Sequence, residues 1–80
     1  MIVKKTKLKI ERLGSQEASI FVEAANKYAC DIMLVNGTKK ANGKSIMGML
    51  SLTLKGGDQF IISFDGVGEK EAAKELLALL

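Results

Sequence analysis

Cys30, Ile32 and Leu34 alternate with Asp31, Met33 and Val35, and the run breaks at Asn36-Gly37. Both residues of an Asn-Gly pair tolerate positive φ, so the pair predicts a two-residue turn and an antiparallel hairpin. A shorter polar strand, Thr38–Asn42, completes it. This hairpin constrains the fold more than any other segment: it fixes two neighbouring strands and leaves an apolar face that other elements must cover.

The remaining segments alternate in period. Residues 2–10 carry Ile2, Thr6, Leu8 and Ile10 on one face and Lys5, Lys7 and Lys9 on the other, the pattern of a half-buried strand. The lysine row reads as the solvated face of an edge strand. No aromatic residue is interleaved with it to stack bases, so direct nucleic-acid binding is not expected. Over 15–29 the spacing becomes helical: Ala18, Phe21, Val22, Ala25 and Tyr28 form one stripe, with Ser15 as N-cap. After the hairpin, Ser45 caps a short helix carrying Ile46, Met47, Met49 and Leu50, and Gly56-Gly57 ends that segment. Residues 59–64 alternate again through Phe60, Ile62 and Phe64. Asp65–Gly68 form a loop, and 69–80 form a helix with Ala72, Ala73, Leu76, Leu77 and Leu80 on its stripe. The order β-α-β-β-α-β-α predicts an α+β open-faced sandwich, with helices on one face of a four-stranded sheet and the other face wet. At 80 residues it is read as a single domain, 1–80.

The absence of histidine excludes several chemistries. Without it there is no imidazole general base, no Cys–His or Ser–His pair and no imidazole metal ligand. The single cysteine, Cys30, cannot build a thiolate metal site or an intramolecular disulfide and is expected as a small buried hydrophobe. Neither an enzyme nor a cofactor-dependent protein is expected; a binding or regulatory module is. The net charge of +3 is modest for a nucleic-acid binder. No apolar run approaches membrane-spanning length, so the chain is expected to be cytoplasmic with no membrane partner.

Gly43-Lys44-Ser45 looks like the end of a phosphate-binding loop. That pattern needs four residues between its glycines, and five separate Gly37 from Gly43. The preceding hairpin is also the wrong context, so an NTPase reading is rejected. Ser45 keeps two readings, a simple N-cap or a phosphorylation site, and spacing alone favours the cap. A phosphoryl group at a helix start would meet unpaired N–H groups and the positive dipole end.

The run Asn42-Gly43-Lys44-Ser45-Ile46-Met47-Gly48-Met49-Leu50-Ser51-Leu52 resembles the regulatory-serine segment of the HPr family, phosphocarriers of the bacterial sugar phosphotransferase system. Ala25-Asn26-Lys27-Tyr28, Asp31, Asn36-Gly37, Gly57, Ser63, Gly66 and Glu69 extend the resemblance over essentially the whole chain. It implies an antiparallel sheet.

The family's G-[IL]-H-A-R-P-A motif, whose histidine takes phosphate from phosphoenolpyruvate through enzyme I, has no counterpart here. Aligned from Tyr28 backwards, Gly14 fills the histidine column, Gln16 the arginine column and Glu17 the proline column; a one-residue shift brings in Leu13 or Ser15. Loss of the carrier activity is the expectation. A carrier using Ser15 ranks last, because a phosphoserine ester transfers its phosphoryl group far less readily than phosphohistidine.

A histidine-less chain with this serine segment is similar to the Crh group of catabolite-repression paralogues. That resemblance implies phosphorylation of Ser45 by HPr kinase/phosphorylase and binding to a LacI-type transcriptional regulator, catabolite control protein A. Lys44 would frame the phosphoserine, and Ile46, Met47 and Met49 would form the apolar contact surface. Crh proteins usually keep the arginine and proline that this chain replaces. A non-phosphorylated, protein-binding homologue is the alternative.

Overall fold

The computed structural model describes residues 1–80. Its elements are β1 (Ile2–Lys7), α1 (Ser15–Ala25), β2 (Asp31–Asn36), β3 (Lys39–Asn42), α2 (Ile46–Ser51), β4 (Gln59–Asp65) and α3 (Glu69–Leu79). The strands form one antiparallel sheet in the order β1-β4-β2-β3. β1 is an edge strand, as its lysine row implies, and β4 lies in the interior beside β2.

Register explains which residues are buried. Ile2 stands opposite Phe64 and Thr6 opposite Phe60, while Ile32 and Leu34 stand opposite Phe64 and Ile62. These rows point towards α1, α2 and α3; Ile32, Leu34, Phe60, Ile62 and Phe64 belong to one cluster of 20 buried apolar residues, and Ile2 packs against it. No polar or charged residue is buried, so the interior contains no polar side chain whose hydrogen bonds must be replaced on folding. Cys30 is buried, as its composition context predicts.

Several boundaries differ from the sequence reading. The β1 ladder stops at Lys7; beyond it, the amides of Lys9 and Ile10 donate to the Leu80 carbonyl, so this stretch pairs with the C-terminus. The hairpin turn falls one residue late. Asn36 pairs with Lys39, leaving Gly37 and Thr38 as the loop, with Gly37 at φ +60°. A glycine at the first loop position suits a type II′ turn, which needs positive φ only there. The first helix ends at Ala25 rather than 29, and Tyr28 packs from the following turn. The second helix is ended not by Gly56-Gly57 but by Thr53, at φ +49° just past the Leu52 C-cap. That is the left-handed stop usually supplied by glycine.

Candidate functional site

Ser45 is the N-cap of α2. Its backbone is extended (φ −118°, ψ 119°), and its Oγ accepts a hydrogen bond from the Gly48 amide at 3.1 Å. One lone pair is thereby engaged while the hydroxyl proton remains free to be donated. The preceding residues present this serine. Gly43 closes the hairpin by donating to the Ile32 carbonyl at 2.7 Å, and a Cβ at Gly43 would lie 2.5 Å from Ile32 Cγ2. Its glycine character therefore serves close packing on β2 rather than a phosphate cradle. The Asn42 side chain accepts from the Lys44 amide at 2.9 Å and fixes the turn into the helix.

The side chains after Ser45 divide sharply. Met47 is 83% exposed and Ile46 is also exposed. Met49 is fully buried, which removes it from any contact surface. In a six-residue helix one side must face the sheet and α1, and Met49 lies on that side. The Lys44 ammonium is directed to the Tyr28 carbonyl at 2.5 Å, so it braces the start of α2 against the turn after α1. Periodicity contains no signal for this contact, because the two residues are joined only by the fold.

The start of α1 is built differently from the expectation. Gly14, not Ser15, is the N-cap, with extended backbone; Ser15 is the first helical residue. The Glu17 carboxylate reaches back to accept from the Gly14 amide at 3.1 Å, completing half of a capping box. A glycine cap has no side chain to complete the other half. The residue in the histidine column therefore presents only backbone, and a carboxylate occupies the helix start where a phosphoryl group would need to sit. Leu13 is buried, and its amide donates to the Leu54 carbonyl at 2.9 Å.

A second polar cluster lies at the C-terminal end of α1. The Tyr28 hydroxyl donates to Glu75 on α3, and Lys27 Nζ lies 2.8 Å from the same carboxylate. The hydrogen bonds from Lys27, and then from Tyr28, hold Glu75 below the usual carboxylate range. Donation to Glu75, with partial desolvation, raises the Tyr28 hydroxyl above its ordinary value. At the other end of α3, the Gly66 amide and the N-terminal ammonium lower Glu69. No group of three or more acidic or cysteine side chains is placed to hold a metal ion. No helix is long and apolar enough to cross a membrane.

The family description "PTS HPr component phosphorylation site" matches residues 10–80, a span that contains the starts of all three helices. The chain is 33% identical to the HPr-like protein Crh of Halalkalibacterium halodurans over 100% of its own length and 96% of that protein. It is 34% identical to the Crh of Bacillus subtilis over 98% and 93%. The crystal structure of HPr-C-His from Thermoanaerobacter tengcongensis superimposes with a TM-score of 0.91 at 35% identity, covering 99% of this chain and 90% of that one. With the sheet order, the capped serine helix and this match along the chain in agreement, the protein belongs to the HPr family.

Proposed function

We propose that this protein is a regulatory HPr-like module of carbon catabolite control, switched by phosphorylation of Ser45 and without phosphocarrier activity. The observation that carries the reading is the pairing of a capped, partly exposed Ser45 with exposed Ile46 and Met47, in a chain that has no histidine. Similarity to two Crh proteins supports the catabolite-repression context.

In the reaction, Ser45 Oγ attacks the γ-phosphorus of ATP. The Oγ–P bond forms, the bond to ADP breaks, and the hydroxyl proton passes to a base of the kinase. The added charge is about −2 and lies beside the first-turn amides of α2, which lack intrahelical acceptors. Ile46 and Met47 then supply an apolar surface next to a new anion. A flexible thioether adapts to a partner's contour at little packing cost. A LacI-type regulator is the partner that this reading assigns, and HPr kinase/phosphorylase the modifying enzyme.

One observation favours the alternative of a non-phosphorylated binding role: the Lys44 ammonium is held by the Tyr28 carbonyl and not by the Ser45 side chain. Incubation with HPr kinase/phosphorylase and ATP, followed by mass-spectrometric mapping, separates the two readings. Stoichiometric phosphate on Ser45 is the expected result. An unmodified protein, or phosphate on another residue, assigns the alternative.

A further inference from the structure

The sheet face turned away from the helices carries an organised pattern that the Ser45 site does not use. Reading across β1, β4, β2 and β3, one row is Val3–Ser63–Met33–Asn42 and the next is Lys5–Ile61–Val35–Lys40. Val3 is 56% and Ile61 40% exposed, Met33 is exposed and Val35 half-buried. The centre of the face is therefore an apolar strip open to water. Its ends are opposite in charge. Lys5 and Lys40 flank the Ile61–Val35 row from the two outer strands and Lys7 lies one row beyond, while Asp31 and Asp65 stand directly opposite one another at the other end. Like charges in direct cross-strand register destabilise a sheet, and neither carboxylate has an ion-pair partner. The chain's two ion pairs use Met1, Glu69, Lys27 and Glu75 and leave all five of these charges unpaired.

We infer that this face is a docking surface for a second copy of the same chain, packed sheet to sheet about a two-fold axis running across the strands. Symmetry and charge select that arrangement. A two-fold axis in the plane of contact and along the strands would stack lysine end on lysine end. An axis across the strands reverses strand direction, bringing Asp31 and Asp65 of each copy to the end of the other that carries Lys7, with Lys5 and Lys40 beside them on the outer strands. It also lays the two apolar strips against each other. The face is about 15 Å wide at ~4.8 Å between strands, so the contact is small and belongs to the weak, reversible class. Screening by salt weakens it.

The test is sedimentation velocity on the intact chain at low salt, from about 20 to 500 μM, a range suited to a small interface. The expected result is a sedimentation coefficient that rises with concentration in rapid exchange. Lys5→Glu/Lys7→Glu/Lys40→Glu is expected to weaken association at least tenfold, and adding Asp31→Lys/Asp65→Lys to that variant to restore it. Circular dichroism checks that each variant is folded. On the wild-type protein alone, dilution followed by amide NMR is expected to move Met33 and Ile61 signals and leave those of α2 in place. A monomer across the whole range overturns the inference. So does a dimer indifferent to the charge reversals, or concentration-dependent shifts confined to the helices. None of these outcomes bears on Ser45, so the functional reading stands or falls separately.

Discussion

The Lys44 ammonium donates to the Tyr28 carbonyl at 2.5 Å, linking the residue before the candidate phosphoacceptor to the turn that follows the first helix. The carbonyl lies beyond α1, so a distant segment sets the angle at which α2 begins. Lys44→Ala is expected to cost about 1 kcal/mol, below the roughly 1.5–3 kcal/mol of a hydrogen bond to a charged group because this one is only partly buried. A urea melt at neutral pH measures it. An unchanged midpoint would mean that the contact does not persist in solution.

Ser45 serves the fold before it serves any switch. Ser45→Ala removes the acceptor for the Gly48 amide and is expected to lose about 1 kcal/mol together with the modification. Ser45→Asp keeps an acceptor but supplies less charge and fewer oxygens, so it is expected to bind a LacI-type partner poorly compared with the phosphorylated protein. Phosphorylation itself is expected to be neutral or stabilising by about 0.3–1 kcal/mol at low salt. Thermal melts of modified and unmodified protein, with partner titrations, check all three.

The two methionines flanking Gly48 should behave oppositely. Met47→Ala is expected to change stability by less than about 1 kcal/mol, as for other exposed positions, and to weaken partner binding. Met49→Ala opens a cavity in the core and is expected to cost about 2–5 kcal/mol. Similar denaturation midpoints for both would contradict the split.

Thr53 holds a left-handed backbone that a β-branched side chain adopts at a cost. Its hydroxyl donates to the adjacent Leu52 carbonyl at 2.7 Å and accepts from Lys39 Nζ at 3.4 Å, a weak exposed contact. Thr53→Gly is expected to stabilise the protein by up to about 0.5 kcal/mol, relief of strain outweighing the two hydroxyl contacts and the added freedom of the unfolded chain. A lower melting temperature would reverse that ordering.

Stability should fall on both sides of neutral pH. Glu69 and Glu75 titrate below the ordinary carboxylate value, so their contribution is complete above about pH 4.3 and is lost as pH falls through their lowered values. The raised Tyr28 hydroxyl works in the other direction: its contribution is complete below about pH 10 and is lost as pH rises through its folded value. Glu75→Gln is expected to flatten both limbs of a plot of melting temperature against pH. A profile identical to wild type would mean that the cluster is open in solution.

The missing relay is checked directly. With enzyme I and phosphoenolpyruvate the protein is expected to gain no acid-labile phosphate, because the residue capping α1 is Gly14 and the chain has no imidazole. A stoichiometric labile adduct would overturn this.

The order of elements, the apolar faces of β2, β4 and α3, the cap at Ser45 and the loss of the histidine were all legible in the sequence. Each is encoded by residues within a few positions of one another, through side-chain period or a local hydrogen bond. What depended on distant segments was not. Met49 reads like Met47 in a short helix, and only the packing of α2 against α1 and β3 buries one and exposes the other. Leu13 and Leu54 lie outside regular elements, where period has no meaning, yet both are buried because their segments meet backbone to backbone. Gly14 displaced Ser15 as the cap because Glu17 reaches its amide. Above all, the opposition of Asp31 and Asp65 exists only because β4 inserts beside β2 in the sheet. Alternation assigns each residue to one side of its strand, but strand order decides which charges must share that face.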